Sequence, residues 1–263
     1  MQQAAAGGAH DPRERASHED DAFMRSPGAR TLRVLSELLQ PRFRLEQRGI
    51  RDTIVFFGSS RAPAPPVEGD RADHSTLAVA YDAARELSRR LTLWGRSEGR
   101  QFLVVSGAGP GIMEAVNRGA ADAGGESIGF GIDIASQGTN RYVSPDLAFR
   151  FHYFFTRKFW FVYNAKAFVY FPGGFGTFDE LFEVLTLAQT GKLHKRIGIV
   201  LFGATFWKTV IDFDALEAQG VISAEDRALV RITDDVDEAE RWLKAFLEEN
   251  YGSPLLNGLP FDV

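Results

Sequence analysis

The chain has 263 residues, 44% hydrophobic and 25% charged, with a net charge of −5 and no cysteine. Such a chain buries a core without crosslinks, and the missing cysteine excludes disulfides, thiolate metal sites and a cysteine nucleophile. The acidic balance speaks against a nucleic-acid footprint, and no apolar run reaches the length of a membrane span.

Residues 1–28 are small, polar and charged without periodicity and are expected to form a disordered tail. The tail has no apolar signal core, and its Asp11, Glu14, Glu19, Asp20 and Asp21 do not suit a transit peptide, so a cytoplasmic location is expected. Residues 29–50 read as a helical extension. Leu32, Leu35, Leu38 and Leu39 share one helical face, and Pro41 is expected to stop the helix.

The 51–250 region alternates strands with helices. Thr53–Phe57 reads as a first core strand, ending in Gly58-Ser59-Ser60-Arg61 and a proline-rich stretch, 62–66. Arg61 there either holds a phosphate or carboxylate or lies solvated. A helix over 74–94 places Leu77, Ala80, Tyr81, Ala84, Leu87, Ser88 and Leu91 inward.

Phe102–Val105 is a second strand, followed by Ser106-Gly107-Ala108-Gly109-Pro110-Gly111 and a helix over 112–123. A strand, a glycine turn and a helix start make a phosphate cradle, or simply a tight turn. The spacing is not the dinucleotide fingerprint, because Ile112 stands where a further glycine is required, and no Walker A lysine is present. A third strand covers 127–134, and an irregular stretch over 135–147 carries Gln137, Asn140, Arg141 and Tyr142. A short strand over 147–152 precedes a helix over 153–164, in which Arg157 and Lys158 sit among Phe154, Phe155, Phe159, Trp160 and Phe161. An always-charged arginine in aromatic company usually has a dedicated anionic partner.

The densest signal is 165–190. Residues 167–171 suit a buried strand, Pro172 ends it, and Gly173, Gly174 and Gly176 allow a tight turn. Thr177 is expected as the N-cap of a helix continuing through Leu181, Phe182, Val184, Leu185, Leu187 and Ala188. Free N–H groups at such a helix start attract an anion, most often a phosphate. Thr177-x-x-Glu180 also fits a capping box. Spacing alone favours that structural role for Glu180 and leaves a catalytic one open.

Downstream, Ile197–Phe202 is a strand, and 204–219 a helix with Phe206, Trp207, Val210 and Ile211 inward. Ser223 begins a cap, 229–233 is a last strand, and 235–249 an amphipathic helix before a loose tail at 251–263. The pattern predicts an α/β fold, a doubly wound parallel sheet with a Rossmann-like single domain and an N-terminal extension.

Pro172-Gly173-Gly174-Phe175-Gly176-Thr177-Phe178-Asp179-Glu180 resembles the PGGxGTxxE signature of the Lonely Guy (LOG) family. Arg157-Lys158 resembles that family's Arg-Lys pair, and the flavour is that of its longer bacterial branch. These proteins are cytokinin riboside 5′-monophosphate phosphoribohydrolases, formerly labelled lysine decarboxylases. The resemblance spans about Thr53 to Glu248. It implies cleavage of the N-glycosidic bond of adenosine 5′-monophosphates, N6-modified ones included, without a cofactor or metal. It assigns Glu180 and Arg157 catalytic roles. It gives the phosphate to Gly173, Gly174, Gly176 and Thr177, with Lys158 and Glu183 nearby. The nucleotide is expected to touch Ser59, Arg61, Gly107, Gly109, Gly111 and Met113. It further implies a homo-oligomer, with no nucleic-acid or membrane partner. Long family members often carry an acidic residue where Ser136 stands, a departure that bears on base recognition. The alternative is a non-catalytic nucleotide or molybdenum-cofactor carrier on the same fold. Lysine decarboxylation is disfavoured, because no pyridoxal-binding motif is evident.

Overall fold

A computed structural model describes residues 16–64, 75–97, 102–134 and 138–252. The rest of the expected N-terminal tail, part of the proline-rich stretch, Ser136 with Gln137, and residues 253–263 lie outside the described residues.

Short helical turns already occupy part of the stretch read as a tail. Ser17–Glu19 forms a 3₁₀ turn and Asp21–Arg25 a helix, α1. Asp20 caps α1 by accepting from the N–H groups of Ala22 and Phe23, a local bond that the composition of the tail conceals. Arg33 fastens this segment by donating to the carbonyls of Met24 and Ser26.

The next helix, α2, runs from Arg30 to Gln47 and passes straight through Pro41. A mid-helix proline orphans the carbonyl four residues earlier. Here that carbonyl belongs to Glu37, and the indole N–H of Trp160 donates to it at 2.9 Å. The orphan is served from another helix, so the chain need not stop. The buried face of α2 is formed by Pro41 and Leu45, whereas Leu32, Leu35 and Leu39 face outward.

Seven parallel strands then build one sheet: β1 (Asp52–Phe57), β2 (Phe102–Ser106), β3 (Ser127–Ile132), β4 (Ala148–Phe151), β5 (Ala165–Tyr170), β6 (Gly198–Phe202) and β7 (Val230–Thr233). Their order is β4-β3-β2-β1-β5-β6-β7. The chain starts in the middle, builds outward to β4, returns to pair β5 with β1, then builds outward the other way. The order therefore reverses between β1 and β5, with Phe57 opposite Tyr170 at the carboxyl ends. Open α/β sheets bind ligands at such a switch point.

Both faces are covered, which is why the central strands are apolar throughout: every residue from Ile54 to Phe57 is buried. On one face, α3 (Thr76–Ser97), α4 (Ile112–Asp122) and α10 (Val236–Tyr251) pack on Ile54, Phe56, Ala167 and Val169. The other face holds α2, α5 (Phe154–Tyr163), α6 (Phe175–Gln189), α7 (Ala204–Val210) and α8 (Phe213–Ala218). They close over Val55, Phe57, Phe168 and Tyr170. The helix expected over 204–219 is thus two, broken at Ile211 and Asp212. The Asp212 carboxylate accepts from Ala215 N–H and starts the second. A short helix, α9 (Ala224–Arg227), is capped by Ser223 as expected. Among the described residues no helix is long and apolar enough to cross a membrane.

Candidate functional site

The carboxyl ends of β1 and β5 are tied together. Phe171 N–H donates to Phe57 O at 2.8 Å, and Ser59 N–H to Pro172 O at 3.0 Å. Above this seam opens a cavity of about 1110 Å³. One wall is continuous sequence, Pro172 to Glu180. Ser59, Arg61, Gly107, Met113 and Arg157 form much of the other.

The turn after β5 enters α6 three residues earlier than expected. Gly174, not Thr177, is the N-cap, and Thr177 N–H donates to Gly174 O at 2.9 Å inside the first turn. The Thr177–Glu180 capping box is therefore absent. Gly173 leaves the room that Thr177 fills, since a Cβ there would stand 2.1 Å from Thr177 Oγ1. Gly174 and Gly176 are different. A Cβ on either meets no protein atom within 4 Å, and neither has a positive φ. Neither packing nor backbone strain requires glycine there, and what the two keep open is the space above a helix start that no side chain caps.

Freed from a cap, Glu180 lies one turn along α6, 5% exposed, and faces the cavity. Burial pushes its carboxyl up to about 7, while Arg157 and Lys158 partly offset this by favouring the charged form. Arg157 is half-buried. Its Nε donates to Phe130 O at 2.7 Å, and its guanidinium carbon lies 4.9 Å from the Phe161 ring centre. Burial pulls its affinity for a proton down, opposed by the Glu180 carboxylate. The dedicated anionic partner expected for Arg157 is not a salt bridge. Among the described residues its guanidinium bonds a carbonyl, not a carboxylate, and it borders the cavity. Gly107 completes this wall by letting Arg157 and Met113 approach. A Cβ at Gly107 would stand 2.6 Å from both Arg157 Nη2 and Met113 Sδ.

The structure separates four residues from this group. Lys158 points away and pairs with Asp179 at 2.8 Å and Glu183 at 3.1 Å, bordering a shallow outer groove. Those carboxylates hold Lys158 above its usual range against the opposing effect of burial. Gly111 does not line the cavity. Its φ is +70°, and a Cβ there would stand 2.3 Å from Ser59 O, so it serves to pack the loop; the Ile112 N–H behind it already donates to Ser59 O. Gly109 sits in the same loop behind the wall. That loop is bent by Ala108 at φ 63°, an unfavourable conformation for a residue with a Cβ. Asn140 holds it, its Nδ2 donating to Ala108 O and Gly109 O, both at 3.0 Å. The sequence marked Asn140 only as part of an irregular stretch.

Apolar side chains line much of the rest of the cavity. Leu77, Ile134, Phe154 and Phe178 contribute, with Phe206 and Val210 from α7. No motif links these positions. Phe206 and Val210 come in with the packing of α7 over the end of β5, through Trp207 Nε1, which donates to Tyr170 O and Phe202 O.

The family model described as "Possible lysine decarboxylase" matches residues 113–243. A relative from Oryza sativa subsp. japonica named "Probable cytokinin riboside 5'-monophosphate phosphoribohydrolase LOGL3" is 28% identical over 193 residues, 70% of this chain and 79% of its own length. A cytokinin riboside 5′-monophosphate phosphoribohydrolase from Rhodococcoides fascians is 28% identical over 145 residues, 52% of this chain and 70% of its own. Among solved structures, the X-ray structure of TM1055, a structural-genomics target, superposes with a TM-score of 0.51 at 23% identity. That match covers 74% of this chain and 99% of TM1055, and it bears on the fold alone. With the glycine turn, Glu180 and Arg157 in one cavity, these matches make the chain similar to the LOG phosphoribohydrolases and to the "Possible lysine decarboxylase" model.

Proposed function

We propose that this protein hydrolyses the N-glycosidic bond of adenosine 5′-monophosphates, N6-modified ones included, and releases free base and ribose 5-phosphate. The observation that carries this reading is the buried Glu180 carboxyl, held near neutrality beside Arg157, one helical turn from an uncapped glycine-lined helix start. The N–H groups of Gly174, Phe175 and Gly176 hold the 5′-phosphate, where the helix dipole favours negative charge. This binding energy fixes the ribose with C1′ toward Glu180. As the C1′–N9 bond lengthens, positive charge grows on the ribose, and the ionised Glu180 carboxylate stabilises it. A water oxygen then bonds C1′, Glu180 accepts its proton, and the base leaves with the bonding pair and takes a proton in turn. Arg157 orients the sugar or polarises the leaving base. The apolar side chains of the cavity suit a base and an apolar N6 substituent.

The name "Possible lysine decarboxylase" finds no support in the side chains. No lysine is among the described residues lining the cavity, so a Schiff-base lysine for pyridoxal phosphate does not fit here.

Purified protein incubated with AMP, GMP, CMP and isopentenyladenosine monophosphate, scored for free base and ribose 5-phosphate, tests the proposal. Base release from the adenine nucleotides that vanishes in Glu180→Gln supports it. Tight nucleotide binding without release from any of them moves the reading to a non-catalytic carrier. A homo-oligomer is proposed as well, because Phe154, Phe155 and Phe175 are exposed, Phe175 to 96%, and Phe154 and Phe175 border the cavity. A monomer in sedimentation velocity refutes that part.

A further inference from the structure

The helix that carries Arg157 lacks a cap of its own. Tyr153, at the N-cap of α5, supplies no side-chain bond, and its first turn holds no acidic residue. Its acceptors come from the N-terminal extension, more than a hundred residues away in the chain. The Glu37 carboxylate on α2 accepts from His152 N–H at 2.8 Å and Tyr153 N–H at 3.3 Å, and Thr156 Oγ1 lies 2.5 Å from it. The Glu37 carbonyl also accepts from Trp160 Nε1, one turn beyond Arg157. A carboxylate at this end complements the helix dipole and serves the His152 and Tyr153 N–H groups. In a capping box, the third residue of the helix reaches back to the N-cap N–H. Thr156 holds that position and is too short, and Glu37 makes the bond in its place.

We infer that Glu37 is a positioning residue for Arg157, so that the N-terminal extension is a working part of the site. The inference rests on the role proposed for Arg157. Arg157 is the residue after Thr156, and its own N–H makes the first intrahelical bond of α5, to Tyr153 O at 3.3 Å. Its guanidinium is pinned deeper, at Phe130 O. Loosening Tyr153 and Thr156 therefore moves the base of the side chain against a fixed point near its tip, and tilts the guanidinium within the cavity.

The test compares Glu37→Ala, Glu37→Gln and Arg44→Ala. Arg44 also ties α2 to the sheet, by donating to Ala148 O and lying over the Phe149 ring, partners outside α5. Glu37→Ala is expected to lower kcat for AMP about tenfold with little change in KM, since misplacing a catalytic group costs rate more than affinity. Glu37→Gln keeps an acceptor oxygen and is expected to restore most of the rate. Arg44→Ala is expected to lower the melting temperature and leave kcat unchanged. The Arg157 Nε–H resonance, followed by NMR, should shift in Glu37→Ala and not in Arg44→Ala. Unchanged kcat and an unchanged Arg157 signal in Glu37→Ala overturn the inference, as does an equal loss of kcat in Arg44→Ala. If Glu37→Ala does not fold, Glu37→Gln decides: a wild-type Arg157 signal and intact His152 and Tyr153 amide protection support the acceptor role, and loss of both in a folded protein refutes it. If the wild-type protein releases no base, the hydrolase reading has failed, and the resonance and amide protection still decide whether Glu37 holds Arg157.

Discussion

Glu180 shows how one side chain links stability to function. Its carboxyl ionises near pH 4.5 in the unfolded chain and at about 7 in the folded one. The folded state thus binds the proton more tightly, so stability is greatest below pH 4.5 and falls as pH rises through 7. That difference amounts to roughly 3 kcal/mol by pH 8. Glu180→Gln, which cannot ionise, should therefore be more stable than wild type by about that amount at pH 8 and nearly equal at pH 4.5, as urea unfolding at the two values would show. The same substitution should cost on the order of a hundredfold or more in base release. The pH profile of kcat/KM should rise through an acid limb near 7, because the ionised form is the one proposed to react. A profile flat between pH 5 and 8 would count against Glu180 as the reacting carboxylate. Gly174 and Gly176 make a parallel case. Gly176→Ala places a methyl in open space on the first turn of α6 and should stabilise the fold by up to about 1 kcal/mol. It should nevertheless weaken binding of ribose 5-phosphate, measured by calorimetry, because that methyl enters the proposed anion site.

At the scale of elements, α2 and α5 depend on one another. Pro41 leaves a carbonyl without a helical donor, Trp160 supplies the donor, and the same Glu37 residue returns its carboxylate to the start of α5. Trp160→Phe keeps an aromatic ring but strands the Glu37 carbonyl. It should cost about 1–3 kcal/mol in chemical unfolding, as expected for an orphaned polar group. Local sequence read the elements well where one signal dominated. The apolar strands and the inward face of α3, from Ala80 to Leu91, stand as expected. It misread them where a partner distant in sequence changed the outcome. Pro41 is a stop signal unless an indole donor arrives from Trp160. Thr177 is the best local N-cap, yet the turn tightens at Gly173 and α6 begins three residues sooner.

For the molecule as a whole, the reversal of strand order between β1 and β5 decides where the site lies. Trp207 secures its roof. Fully buried, it ties α7 to the ends of both β5 and β6. Trp207→Ala should cost about 3–5 kcal/mol, read from denaturant midpoints, and should open the cavity at Phe206 and Val210. The sequence by itself determined the class of fold, because the alternation of apolar strands and periodic helices follows from burial on both faces of a parallel sheet. It also marked the glycine turn with Glu180, and Arg157, since a strand, a turn and a helix start are local events. Only the tertiary structure decided which marked residues meet. Lys158 and Glu183 pair on the outer side of α6, and Gly109 and Gly111 shape a loop behind the wall. Phe206 and Val210 join from a helix with no motif at all. Periodicity fixes which face of an element is buried, but not which neighbour covers it, and that neighbour decides whether a charge meets a counter-charge or the cavity.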